Sequence, residues 1–173
     1  MVIIVTGAIG IGKTTVCQKV INIARSQDHS CAGIITCKTQ NDDITIEDIQ
    51  TGETKILAST INVYHGPHTA KYCFDPEGID FGIQAVDRGA TADILMIDEL
   101  GHLELRGEGF ARAVEQITAG EVKNCILVIR KELLPAFLSR LGIATTVFET
   151  TLDNRNQLPE EISLALAQAV AAE

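Results

Sequence analysis

The segment Gly7-Ala8-Ile9-Gly10-Ile11-Gly12-Lys13-Thr14 constrains this chain more than any other. It satisfies G-x-x-x-x-G-K-[ST] and lies between an apolar run, Val2 to Val5, and a stretch in which Val16, Val20 and Ile23 recur at i, i+4 and i+7. That order predicts a buried strand, a tight loop and an amphipathic helix. Glycines let the backbone fold closely around an oxyanion, successive N–H groups converge on it, and the helix start adds partial positive charge. The loop from Gly7 to Thr14, with Thr15 behind it, is therefore expected to bind phosphates. Lys13 would set an ammonium against the β and γ phosphates, and the Thr14 hydroxyl would ligate Mg²⁺.

The rest of the chain continues the alternation. Gly33 to Cys37, Ile44 to Asp48 and Thr54 to Ala58 read as short strands, with a turn at Thr51-Gly52-Glu53, and suggest a small antiparallel excursion. A helix follows, with Asp75 as its N-cap, Pro76 at its first position, Ile79, Ile83 and Val86 as its buried stripe and Gly89 as its stop. Ile94 to Ile97 is continuously apolar, as a strand covered on both faces should be. Phe110, Val114 and Ile117 predict a helix closed by Gly120, Cys125 to Ile129 another buried strand, and Leu133 to Leu141 a helix closed by Gly142. Thr145 to Glu149 reads as the last strand, and Pro159 opens a final helix with Ile162, Leu166 and Val170 on one face. Such alternation implies an α/β layer fold with a mainly parallel sheet. With no internal repeat, low-complexity tract or linker, residues 1–173 are expected to form a single domain.

Asp98 and Glu99 end the Ile94 to Ile97 run. A buried strand ending in Asp is the Walker B form, and its carboxylate would organise the Mg²⁺ shell. Glu99 adds a second carboxylate at the carboxyl edge of the sheet, where open α/β folds bind ligands, and is the candidate to position or deprotonate a water.

Composition limits the alternatives. The formal net charge is −9 and no apolar run approaches the ~18 residues of a membrane span. A broad nucleic-acid footprint or a polybasic membrane patch would need clustered positive charge. Met1 leads directly into Val2 to Val5 without a basic region, so a signal peptide is not expected and cytoplasmic residence is. The five cysteines, Cys17, Cys31, Cys37, Cys73 and Cys125, form no close pair and are read as reduced thiols, several of them buried. His29, His65, His68 and His102 show no metal spacing.

Taken with these motifs, the chain resembles the P-loop nucleoside-triphosphatase family first described from thermophiles, which has archaeal members and a human member called cancer-related nucleoside-triphosphatase. The resemblance rests on Val5-Thr6-Gly7 to Lys13-Thr14-Thr15, Gly33 to Thr36, Lys71-Tyr72, Asp98-Glu99-Leu100-Gly101 with Leu103-Glu104, and Asn154-Arg155-Asn156. It implies Mg²⁺-dependent hydrolysis of nucleoside triphosphates to diphosphate and phosphate, slow and tolerant of the base, in three α/β/α layers around a RecA-like sheet. Two departures stand out. The family usually has an aromatic residue before the Thr and an arginine a few residues later, where this chain has Ile34-Ile35-Thr36-Cys37-Lys38, and Leu103 stands where the family often has Met.

Arg130 follows the Cys125 to Ile129 strand and reaches the same edge as Asp98 if the two strands are parallel, where it could sense the γ-phosphate or serve only as a surface arginine. Asn154, Arg155 and Asn156 could line the base or ribose pocket or cap a helix start. Lys71-Tyr72 could contact nucleotide or steady a loop, Glu104 could back the site or lie at the surface, and Asn41-Asp42-Asp43 reads as a solvated turn. Besides hydrolysis of ATP, GTP and other triphosphates, the P-loop permits a small kinase, or a nucleotide-operated binding module with a protein or RNA partner.

Overall fold

In the computed structural model of the chain, residues 1–61 and 63–170 are described, Val170 by its backbone alone. The expected place of Val170 on the buried face of the last helix lies outside the described residues. The elements run β1 (Val2–Gly7), α1 (Lys13–Ser26), β2 (Cys31–Lys38), β3 (Ile44–Asp48), β4 (Thr54–Ser59), β5 (Cys73–Phe74), α2 (Pro76–Gly89), β6 (Ile94–Leu100), α3 (His102–Leu105), α4 (Ala111–Thr118), β7 (Cys125–Arg130), a 3-10 turn (Lys131–Leu133), α5 (Leu134–Leu141), β8 (Thr146–Glu149) and α6 (Leu158–Val170).

Among the described residues the strands form one eight-stranded sheet in the order β5-β4-β3-β2-β6-β7-β1-β8. The interfaces β2·β6, β6·β7, β7·β1 and β1·β8 are parallel. The hairpin strands β3, β4 and β5 extend the β2 edge in antiparallel fashion, which is the expected excursion.

Strand pleating distributes the apolar residues to two cores. Ile3 and Val5 of β1 join Met96, Ile126 and Val128 under α1 and α6, while Val2 and Ile4 join Leu95, Ile97, Leu127 and Ile129 under α2, α4 and α5. This two-sided burial explains why the parallel strands read as unbroken apolar runs. In α1 the buried stripe is Val16, Cys17, Val20, Ile21 and Ala24, and Ile23 is half-buried beside it. In α2 the expected start is present: Asp75 accepts a hydrogen bond from the Glu77 N–H at 3.0 Å, and Pro76 follows it. The two-residue β5 and four-residue α3 are too short to show a hydrophobic period, and they surface only in the fold.

One glycine fixes how closely β2 and β6 approach. Gly33 pairs with Met96 at a φ of 105°, and a Cβ there would lie 2.0 Å from the Met96 carbonyl oxygen.

Candidate active site

Parallel pairing brings the carboxyl ends of β1, β6 and β7 to one edge, with β7 between the P-loop strand and the Asp98 strand. The loop turns into α1 through Gly12, whose φ of 105° lies in the left-handed region that an L side chain rarely adopts. Lys13 opens α1 with its stem buried. Its Nζ donates to the carbonyl oxygens of Gly7 at 3.0 Å and Ala8 at 2.9 Å, so the ammonium is held inside the loop.

Asp98 is 1% exposed, and its Oδ2 has no hydrogen-bond partner among the described residues. Burial pushes its carboxyl up to about 7, opposed by the Thr14 hydroxyl beside it, raised further by Glu99 and lowered by Lys13. A buried carboxylate oxygen without a partner, next to a hydroxyl, suits a small hard dication that takes oxygen ligands, and Mg²⁺ is such an ion. Thr14 and Asp98 thus fit the metal role expected of them.

Glu99 follows Asp98 directly, yet both face the same pocket. Ile97 pairs with Leu127 and Leu100 with Ile129, so three steps along β6 match two along β7. The resulting bulge breaks the alternation that would otherwise send neighbouring side chains to opposite faces. Glu99 Oε1 accepts from Arg130 Nε at 2.6 Å, and Arg130 Nη2 lies 2.6 Å from the same oxygen. Arg130, the last residue of β7, therefore reaches the edge expected of it, where it grips a carboxylate.

Two adjoining cavities open along this edge. The first, about 410 Å³, is walled by Ile9, Gly10, Gly12, Lys13 and Thr14 of the loop and by Asp98. Across from the loop stand Thr36, Cys37 and Lys38 at the end of β2. The second, about 280 Å³, lies beyond Glu99 toward β4, α2 and the turn after β6. Thr36, Ile44, Tyr72, Glu99 and Arg130 line both cavities.

Other candidate residues fall into distinct places. Thr15 is exposed on the first turn of α1 and lines neither cavity. Ile11 is half-buried, and its side chain lies against Gly7. Asn154 Nδ2 donates to the Glu149 carbonyl at 2.8 Å and its Oδ1 accepts from the Thr151 N–H at 2.8 Å, while its carbonyl accepts from Leu158 N–H at the start of α6. Its amide is thus committed to shaping the loop after β8. Asn156 is exposed, and neither asparagine lines the two cavities. That loop does touch the P-loop: Thr150 N–H donates to Thr6 O at 2.7 Å, and a Cβ on Gly7 would meet Thr150 O at 2.7 Å.

Glu104 is no surface residue. It is 4% exposed, and its carboxylate accepts from the N–H groups of Gly101 at 2.7 Å and Phe110 at 2.9 Å, bracing the turn that ends the second cavity. Burial raises its carboxyl, and those N–H groups lower it by less. Asp42 is solvated as expected, pairing with Lys38 at 3.1 Å and Lys71 at 3.6 Å. Cys17, Cys31, Cys73 and Cys125 are buried free thiols, and Cys37 is exposed. No cluster of metal-ligating side chains occurs among the described residues.

Lys38 is the site residue that motif reading left without a role, and Tyr72, read as either a nucleotide contact or a loop support, lines both cavities. Lys38, the last residue of β2, pairs with Ile44 of β3 and lines the first cavity. Tyr72 directly precedes β5, whose two residues are too few to show a strand period.

A family model described as NTPase matches residues 2–163 of this chain. The chain belongs to the NTPase family. The matched span contains every site residue described above. Among its curated relatives, the nucleoside-triphosphatase THEP1 of Archaeoglobus fulgidus is 30% identical over 171 residues, covering 96% of this chain and 99% of the relative. The nucleoside-triphosphatase THEP1 of Methanosarcina acetivorans is 29% identical over 167 residues, covering 93% and 94%. The crystal structure of THEP1 from the hyperthermophile Aquifex aeolicus superposes with a TM-score of 0.76 at 24% identity, covering 96% of this chain and 99% of that one, which establishes the shared NTPase fold. No helix among the described residues of this NTPase is long and apolar enough to cross a membrane.

Proposed function

We propose that this chain is a Mg²⁺-dependent nucleoside-triphosphatase, a single domain over residues 1–173 that works in the cytoplasm and converts ATP, GTP and other nucleoside triphosphates to diphosphate and phosphate. The observation that carries the reading is the buried, unpartnered Asp98 Oδ2 beside Thr14 and Lys13, with Glu99 next along the same edge. The names of the curated relatives support the same class of activity.

In this reading the N–H groups from Gly7 to Thr14 cradle the phosphates, and Lys13 Nζ leaves the Gly7 and Ala8 carbonyls for the β and γ oxygens. Thr14 and Asp98 would hold Mg²⁺, which supplies charge neutralisation at the phosphates. Glu99 orients the attacking water and takes its proton, while Arg130 fixes the Glu99 carboxylate and senses the γ-phosphate. The loop holding Asn154 and Asn156 flanks the base and ribose, with Asn154 shaping it and Asn156 offering its amide.

Lys13→Ala tests the reading. The variant is expected to keep the wild-type circular dichroism spectrum, to lose ATP binding in titration calorimetry and to release no phosphate. EDTA should stop phosphate release by the wild type. Wild-type affinity in Lys13→Ala would remove Lys13 from the phosphate site, and full turnover without divalent metal would remove Mg²⁺ from the chemistry.

A further inference from the structure

The hydrolytic reading gives no task to the second cavity, although Glu99 and Arg130 form part of its wall. Its other walls are mainly apolar, with Leu57 of β4, Phe74 of β5, Ile79 of α2, and Leu103 and Phe110 in the segment after β6, while Lys71, His102 and Glu104 are among the polar residues that also line it. Water needs two to four polar partners to be held in a cavity, and an apolar cavity of ~150 Å³ accommodates one benzene ring. At about 280 Å³ this cavity has roughly the volume of a fused two-ring molecule.

A second observation marks its polar end. Tyr72 is 9% exposed, lines both cavities, and its Oη has no hydrogen-bond partner among the described residues. Asp42 first, and then this phenol, favour the charged form of Lys38, so the ammonium stands near Oη without a well-formed hydrogen bond to it. A buried hydroxyl left unpaired is unfavourable, and a ligand group hydrogen-bonded there would offset that cost. The geometry therefore has a mainly apolar pocket for flat rings, a phenol between it and the phosphate cavity, and a carboxylate shared with the phosphate site.

We infer that the second cavity binds a small, flat, mainly apolar alcohol as an alternative phosphoryl acceptor. This rests on the assignment of Glu99 as the proton-accepting group of the proposed triphosphatase. The acceptor oxygen forms a bond to the γ-phosphorus, and the bond from that phosphorus to the β,γ-bridging oxygen breaks. The hydroxyl proton passes to Glu99. Both Arg130 contacts fall on Oε1, so Oε2 is the oxygen that takes it. The products are a nucleoside diphosphate and a phosphate monoester, and water takes the alcohol's place when the cavity holds no acceptor.

Indole-3-ethanol is a suitable probe, with two fused rings and a hydroxyl on a short arm, and 3-ethylindole is its control without the hydroxyl. The chain has no Trp, so indole emission comes from the probe alone. With the full chain, Mg²⁺ and a non-hydrolysable ATP analogue, fluorescence anisotropy is expected to show saturable binding of both compounds. With γ-labelled ATP, indole-3-ethanol should yield labelled phosphate monoester, and 3-ethylindole should yield inorganic phosphate only. Ala70→Phe, at the exposed rim, and Ile79→Phe, in the wall, should weaken probe binding at least about tenfold, roughly 1.4 kcal/mol. Both should leave phosphate release without probe within about twofold of wild type. No saturable probe binding, or binding with no monoester, overturns the inference while leaving the hydrolase intact. Failure to release phosphate when no probe is present overturns the hydrolase reading itself.

Discussion

Arg130 Nε and Nη2 both meet Glu99 Oε1 at 2.6 Å, joining the carboxyl ends of two neighbouring parallel strands. The glutamate is 25% and the arginine 32% exposed in their side chains, so the pair stands at the mouth of the phosphate cavity with access to a substrate. A carboxylate gripped on one oxygen is fixed in direction, which a group that aligns a water requires.

Glu99→Gln should bind MgATP as wild type does and hydrolyse it ~10²–10⁴ times more slowly, since an amide keeps the size but takes no proton. If Arg130 acts by positioning Glu99, then Arg130→Ala will slow turnover in the wild-type background and add little to Glu99→Gln. Single-turnover kinetics on the four members of this cycle measure the coupling. Multiplicative losses would show that Arg130 acts independently of Glu99, and a Glu99→Gln rate within about threefold of wild type, under 1 kcal/mol, would end the catalytic role of Glu99.

Asp98 links stability to pH. Its folded carboxyl is raised to about 7 from an ordinary 3.8, first by burial, so the folded state favours the protonated form. The contribution is fully present below the ordinary value, is lost as pH rises through 7 and changes little above that. Three units correspond to on the order of 4 kcal/mol. In EDTA, Asp98→Asn is expected to melt above wild type at pH 8, with the difference shrinking toward pH 5, while the stabilisation by Mg²⁺ and ATP seen in the wild type is reduced. Differential scanning calorimetry reads both effects, and equal melting temperatures at pH 8 would contradict the buried, charged state of Asp98.

Gly33→Ala should prevent normal folding. The new Cβ would meet Met96 O at 2.0 Å within the β2·β6 pairing, and a φ of 105° is strained for alanine. Both effects strike the middle of the sheet, so a loss above ~4 kcal/mol is expected. Soluble yield and urea midpoint would show it, and a midpoint equal to wild type would mean that the strands can part at this position.

Arg88 and Asp48 tie α2 to the end of β3. Asp48 is fully buried and accepts from Arg88 Nη2 at 2.8 Å and from the Gln50 N–H at 2.8 Å. Burial raises its carboxyl, but the Arg88 and backbone bonds outweigh it, and the net shift is downward. Arg88 is 47% exposed, so solvent screens the pair, and Arg88→Met should cost about 1–3 kcal/mol at pH 7, below the full ~3–5 of a buried pair. Because a depressed carboxyl stabilises above its ordinary value and loses that contribution as pH falls, the gap between variant and wild type should narrow on acidification. Urea titrations at pH 7 and pH 3.5 would measure it, and a constant gap would assign the effect to packing of the arginine stem.

The sequence by itself determined what depends on neighbours along the chain. The P-loop was legible because its chemistry needs contiguous backbone N–H groups between a strand and a helix, and α2 because Asp75, Pro76 and Gly89 act locally at its ends. Asp98 was legible as the acid that ends an apolar run. Tertiary structure decided what depends on which strands become neighbours and in what register. Arg130 reaches Glu99 only because β7 lies parallel beside β6 and a bulge turns Glu99 toward the pocket of Asp98. Tyr72 and Lys38 reach the cavities through pairings spread over β2 to β5. Glu104 stays open between backing the site and lying at the surface because sequence shows a charge without its burial, while the fold encloses it and supplies two backbone N–H groups to hold it.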